Sequence, residues 1–73
     1  MLSFEVTNSG KSIQVDCDSE GLGILIAALE EFKTKDLSHV HLRAPSAGGH
    51  VLSDKTPWGK EAVGEVIISL GGD

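Results

Sequence analysis

The sequence predicts an α+β domain in ββαββ order, a mostly antiparallel four-stranded sheet with one helix packed on one face, and three observations carry that expectation. Two runs of strict apolar/polar alternation open the chain, separated by Asn8-Ser9-Gly10. The apolar period then lengthens to 3.6 between Ser19 and Thr34. Alternation returns over Leu37 to Arg43 and again over Glu65 to Leu70.

In the first run Leu2, Phe4 and Val6 alternate with Ser3, Glu5 and Thr7; in the second Ile13, Val15 and Cys17 alternate with Ser12, Gln14 and Asp16. With a short glycine-containing loop between them they read as a β-hairpin. Asp18 or Ser19 supplies an N-cap oxygen, and Glu20 sits in the first turn, where the helix dipole favours an acid. Leu22, Leu25, Ile26, Leu29 and Phe32 form one apolar stripe, with Glu30, Glu31 and Lys33 toward solvent. Gly21 and Gly23 weaken the first turns by up to about 1 kcal/mol each relative to alanine, so the helix is expected to start late or fray. Lys33 and Lys35 complement its C-terminal end, and Asp36 begins the turn into the third strand.

In that strand Val40 and Leu42 face the core, while His39, His41 and Arg43 form a polar row on the other side. After Pro45 about twenty residues pass before the last strand, long for so small a domain and a sign of a functional or mobile segment. Val51 and Leu52 are expected to pin the middle of this segment to the core. Thr56-Pro57-Trp58-Gly59 reads as a turn carrying an aromatic, and Lys60 to Val63 as a short helical turn. Gly71-Gly72-Asp73 reads as a loose terminus. One helix covers only one face of the sheet, which leaves Ser3, Glu5, Thr7, Ser12, Gln14, Asp16, His39, His41, Arg43, Glu65, Ile67 and Ser69 on an open second face.

Residues 1–73 make one small domain. Eleven acidic against six basic residues give a net charge of −5, which repels phosphate backbones and excludes nucleic acid as the expected partner. The charge suits a basic protein partner, or simply keeps a small domain soluble. A lone cysteine, Cys17, excludes an internal disulfide and fits a reducing compartment. The opening Met1-Leu2-Ser3-Phe4-Glu5-Val6 lacks a basic n-region, and no run approaches the roughly 20 apolar residues that span a bilayer. The expectation is therefore a cytoplasmic protein with no membrane partner.

All three histidines fall between Ser38 and Ser53. His39 and His41 lie two apart on one strand, so both rings point the same way, and His50 or Glu5 would be needed to complete a metal set. No second ligand cluster accompanies them, and the plainer reading is solvent-facing histidines hydrogen-bonded to Glu5 or Asp16; no metal and no cofactor are expected. Alternation puts the Cys17 thiol on the buried face and His41 on the opposite one, so this pair is not expected to be catalytic and the chain is not expected to be an enzyme. Gly21-Leu22-Gly23 and Gly48-Gly49 lack the lysine and hydroxyl context of a phosphate-binding loop. Ala47-Gly48-Gly49 marks a turn needing positive φ. Trp58 reads first as a lid over the small core and second as an anchor for a partner.

The order His39-Val40-His41-Leu42, Pro45, Gly48-Gly49, Leu52-Ser53 resembles the immunity protein 32 family of bacterial polymorphic toxin systems. That family's pattern is an HxHL strand, a proline, an aromatic-Gly-Gly turn and a Leu-Ser/Thr pair; Ala47 stands where it has the aromatic. The resemblance implies a protein that binds and neutralises a cognate toxin, with His39, His41, Pro45, Gly48 and Gly49 as the pattern positions. The expected function is thus inhibitory protein binding through the open sheet face and the loop from Pro45 to Trp58. His39, His41 and Arg43 would supply polar contacts, Trp58 apolar area, and Gly48, Gly49 and His50 would lie in the same contact region. The competing readings are a homodimeric structural or small-molecule-binding module using that face, and, last, a metal-binding protein using His39, His41 and His50.

Overall fold

A computed structural model describes residues 1–35 and 37–71; the turn expected at Asp36 and the loose end at Gly72-Asp73 lie outside the described residues. Four strands and one helix follow the ββαββ order: β1 (Leu2–Thr7), β2 (Ser12–Cys17), α1 (Ser19–Thr34), β3 (His39–Arg43) and β4 (Glu65–Ser69). β1 and β2 pair antiparallel from Leu2 opposite Cys17 to Thr7 opposite Ser12. Their connection places Asn8, Ser9 and Gly10 in succession at positive φ, and the Lys11 N–H closes it on the Asn8 carbonyl at 3.0 Å. Asparagine and glycine tolerate that backbone readily.

The helix starts where its cap is. Asp18 is extended, and its Oδ1 accepts from the Gly21 N–H at 2.8 Å and from the Met1 ammonium at 2.6 Å. Both bonds favour the carboxylate and hold Asp18 below its ordinary pKa, the ammonium contact contributing most. The expected late start at Gly21 is corrected. Gly21 is buried, and a Cβ there would stand 1.7 Å from the Met1 carbonyl oxygen. Glycine is needed because the N-terminal backbone crosses the first helical turn. A Cβ at Gly23 would meet nothing within 4 Å.

The strands form two two-stranded sheets, β1-β2 and β3-β4, in place of the expected single four-stranded one. The reason lies at the outer edge of β1. The Leu2 carbonyl accepts from the Ser53 N–H at 2.8 Å and the Phe4 carbonyl from the Val63 N–H at 2.7 Å. The segment between β3 and β4 therefore occupies the position that a third strand would take. Its two ends are tied to each other, the Ala44 N–H donating to the Gly64 carbonyl at 2.8 Å, and its middle is tied to β3, the Val51 and Leu52 N–H groups sharing the Arg43 carbonyl at 3.0 and 3.1 Å. Lys60 to Val63 is not helical; Lys55 and Glu61 bridge antiparallel, and the Ala62 N–H reaches the Asp54 carbonyl at 2.9 Å.

The core is small: Leu2, Leu42, Ala44 and Leu52 are buried, ringed by Phe4, Leu25, Ala28, Val40, Val51, Val66 and Ile68. Leu52 and Val51 pin the long segment as expected. α1 sits over a seam between two narrow sheets, so it buries less of its surface than a broad sheet would cover. Gly21 is buried and Leu25, Ala28 and Phe32 are half-buried, while Leu22, Ile26 and Leu29 of the expected stripe are exposed. Two further assignments change with the sheet. Ser3 is fully buried, so the second face of β1 is not open at that end, and Cys17 is exposed.

Gly21→Ala is expected to destabilise the protein by about 1–3 kcal/mol through overpacking against Met1. Gly23→Ala is expected to stabilise it by roughly 0.4–1 kcal/mol. Urea unfolding of the two variants checks the pair, and equal effects would contradict the crossing of Met1 over Gly21.

Candidate functional site

Alternation in β3 turns Val40 and Leu42 inward and leaves His39, His41 and Arg43 on the outer face. Register with β4 sets Ser69, Ile67 and Glu65 opposite them. Glu65 is the residue that organises the row. Its Oε2 accepts from Arg43 Nε at 2.6 Å and lies 3.2 Å from His41 Nδ1, and Arg43 Nη2 is 3.3 Å from that same nitrogen. One Nδ1 cannot serve both neighbours at once. Protonated, it donates to Glu65; unprotonated, it accepts from Arg43. The row is thus a coupled cluster with two hydrogen-bond states. His39 stands edge-on to His41, ring centroids 5.0 Å apart, and its Nδ1 lies 3.0 Å from Ser38 Oγ.

The Arg43 guanidinium, and after it the His41 ring, hold the Glu65 carboxyl below its ordinary value. All three side chains are a third to a half exposed, so solvent screens the attraction and the network orients groups more than it stabilises the fold. The acid partner expected for the histidines was Glu5 or Asp16. Both belong to the other sheet, and Glu65 takes the role. The signal was present in the alternation of β4, which placed Glu65 on the same face.

Pro45, Gly48 and Gly49 shape the exit from β3. Pro45 opens a short 3-10 turn, Gly48 ends it at φ 85°, and the Gly49 N–H returns to the Ala44 carbonyl at 3.0 Å. A Cβ on Gly49 would stand 2.5 Å from Arg43 Cβ, so the chain folds back on Arg43 only with glycine here. A clasp not anticipated from the sequence closes the same turn: the Asp54 carboxylate accepts from both the Ser46 N–H, at 3.1 Å, and the Ser46 hydroxyl. His50 is exposed and shares no hydrogen bond with the histidine row.

Trp58 does not lid the core. It is 68% exposed, at the tip of a turn organised by the buried Thr56. Thr56 Oγ1 accepts from the Trp58 and Lys60 N–H groups at 3.3 and 3.1 Å. The Thr56 N–H donates to the Lys60 carbonyl at 2.8 Å, its carbonyl accepts from the Gly59 N–H at 3.0 Å, and Gly59 takes φ 83°. The indole is held outward on a hydrogen-bonded scaffold.

An open groove of about 340 Å³ runs between α1 and β3, lined by Ile24, Ala27, Phe32, Leu37, Val40 and Val51, with Glu31 and His41 as its ionisable groups. Among the described residues no three His, Cys, Asp or Glu side chains are grouped to hold a metal ion, and no helix is long and apolar enough to cross a membrane. Compared with models of protein families, with curated proteins and with solved structures, the chain matches none.

A carboxylate whose pKa is lowered on folding contributes stability above its unfolded value and loses it as pH falls through the folded value. Wild type is therefore expected to be more stable than Glu65→Gln at neutral pH, the difference shrinking as pH falls below the ordinary glutamate value of 4.5. Thermal midpoints of both proteins across the acid range check this; a difference independent of pH would contradict it.

Proposed function

We propose that the chain is a protein-binding domain that acts by occupying its partner's surface. The partner class we propose is the cognate toxin implied by the resemblance to the immunity protein 32 family. The observation that carries the reading is Trp58, a large aromatic held in solvent by a turn whose backbone is already bonded. Burying such a side chain in a partner gains apolar contact at low cost in conformational entropy, which is the character of an interface anchor. The His41–Arg43–Glu65 cluster supports the same reading, since Arg43 keeps donors beyond those it spends on its neighbours. The net charge of −5 favours approach of a basic partner.

Co-expression with the product of a neighbouring toxin gene, followed by sizing of the untagged complex, tests the proposal. A stoichiometric complex is expected. Trp58→Ala is expected to weaken it by about 2 kcal/mol, some thirtyfold in Kd, while leaving the urea midpoint within about 0.5 kcal/mol of wild type. Failure to form a complex, or full affinity in the variant, would contradict the proposal.

A further inference from the structure

The edge of β3 away from β4 carries backbone groups that the fold leaves open. The Ala44 N–H bonds the Gly64 carbonyl and the Leu70 N–H the Ser38 carbonyl, both in line with the β3-β4 register. Val40 and Leu42 therefore turn their backbone groups toward β4, and His39, His41 and Arg43 turn theirs to the other edge. There the Val51 and Leu52 N–H groups take the Arg43 carbonyl, which closes the edge at that end. The N–H and carbonyl of His39 and of His41, and the N–H of Arg43, have no backbone partner among the described residues.

The groove between α1 and β3 runs along this edge. Val40 and Leu42 line it, so does His41 from the opposite face of the strand, and so does Val51, which is bonded to the edge itself; β4 contributes nothing to the lining. Its far wall is the helix surface of Ile24, Ala27 and Phe32. Backbone donors and acceptors in a row beside an apolar wall suit an extended peptide that adds as a strand. Its backbone pairs with the edge, and every second side chain enters the groove.

Charge narrows the occupant. Glu31 is the only Asp, Glu, Lys or Arg among the described residues that line the groove. Its Oε1 accepts from Lys35 Nζ at 3.3 Å, with both side chains more than half exposed, and its Oε2 has no partner among the described residues. Glu31 stands in the last turn of α1, just before residues 35–38 lead into β3, so it marks the Leu37 end of the groove, opposite Val51. A second copy would bring a net charge of −5 against −5, whereas a basic segment is attracted.

We propose that the groove takes an extended segment of a basic partner protein, added antiparallel to β3 as a third strand of the β3-β4 sheet. Residues opposite Leu42 and Val40 are aliphatic and pack on Ile24, Ala27 and Phe32. The residue opposite His41 exchanges both backbone bonds with it, and a lysine or arginine opposite Ser38 reaches Glu31. This site is distinct from the Trp58 turn and holds for any partner carrying such a segment, so it does not rest on the toxin reading.

Two capped hexapeptides serve as probes, threonine alternating with valine in one and with leucine in the other, each ending in lysine. Titrated into isotope-labelled protein, they are expected to give saturable shifts at the His39, His41 and Arg43 amides. Methylating the backbone nitrogen of the threonine opposite His41 removes its donor and is expected to weaken binding about tenfold. Methylating the next aliphatic residue, whose N–H points away from β3, is expected to leave affinity within about twofold. Ala27→Arg, at an exposed helix position, is expected to abolish binding with an unchanged far-ultraviolet spectrum. Should that variant fail to fold, the methylated peptides on wild type decide. No saturable shift with either peptide, equal affinity for the two methylated forms, or a folded Ala27→Arg variant that binds as wild type does overturns the proposal. Shifts at the same amides on concentrating the protein alone would put a second copy at the edge and overturn it as well.

Discussion

The Leu2 and Phe4 carbonyls point away from β2, and the fold depends on their being met by the Ser53 and Val63 N–H groups at 2.8 and 2.7 Å. A two-stranded ribbon is marginal in water by itself, and this chain has two of them. The segment between β3 and β4 makes them one body. It hydrogen-bonds to β1 at Ser53 and Val63, to Arg43 through Val51 and Leu52, and to itself through Ala44 and Gly64. Leu52 from the same segment completes the core with Leu2, Leu42 and Ala44. Leaving a buried carbonyl beside Leu2 without its donor would cost about 1–3 kcal/mol, a large share of what so small a core supplies.

That arrangement fixes where the chemistry is displayed. The segment that joins the ribbons also carries the Trp58 turn outward, so one stretch of chain serves both architecture and recognition. The requirement for glycine at position 49 follows from the same economy of space, because the chain leaving β3 must turn back over Arg43. Arg43 in turn is oriented by Glu65, which arrives in register only because the segment ends at Gly64. A small core under a single helix leaves apolar side chains outside, among them Ile13 and Val15 of β2, Leu22, Ile26 and Leu29 of α1, and Ile67 of β4.

Local patterns in the sequence carried the class, the element order, the first hairpin, a helix cap at Asp18 or Ser19 that the structure gives to Asp18, and the division of β3 into a core side and a polar side. Each is a matter of period or of a single capping oxygen, legible within a few residues. What was not legible depended on contacts across the chain. The third edge partner of β1 is an irregular segment with no alternation to announce it, so a continuous sheet was the natural expectation. From that error followed the others: a sheet broad enough to bury Leu22, Ile26 and Leu29, an open face at Ser3, and a buried Cys17. Gly21 read as a weak helix former because nothing local shows that Met1 passes over it. Trp58 read as core because a small domain with few aromatics usually buries them; the bonds around Thr56 hold it out instead. Within the site, the histidine row was visible but Glu65 was not identified as its partner, since register between distant strands is set by where the intervening segment is tied down.

Amide hydrogen exchange at Ser53 and Val63 tests the central claim most directly. If the segment joins the two ribbons as a hydrogen-bonded third edge, these two amides exchange as slowly as the amides bonded between β1 and β2 and are lost with them in one cooperative opening. Exchange at the rate of an unstructured peptide, with the strand amides still protected, would show that the segment is not part of the fold's frame and would contradict the account.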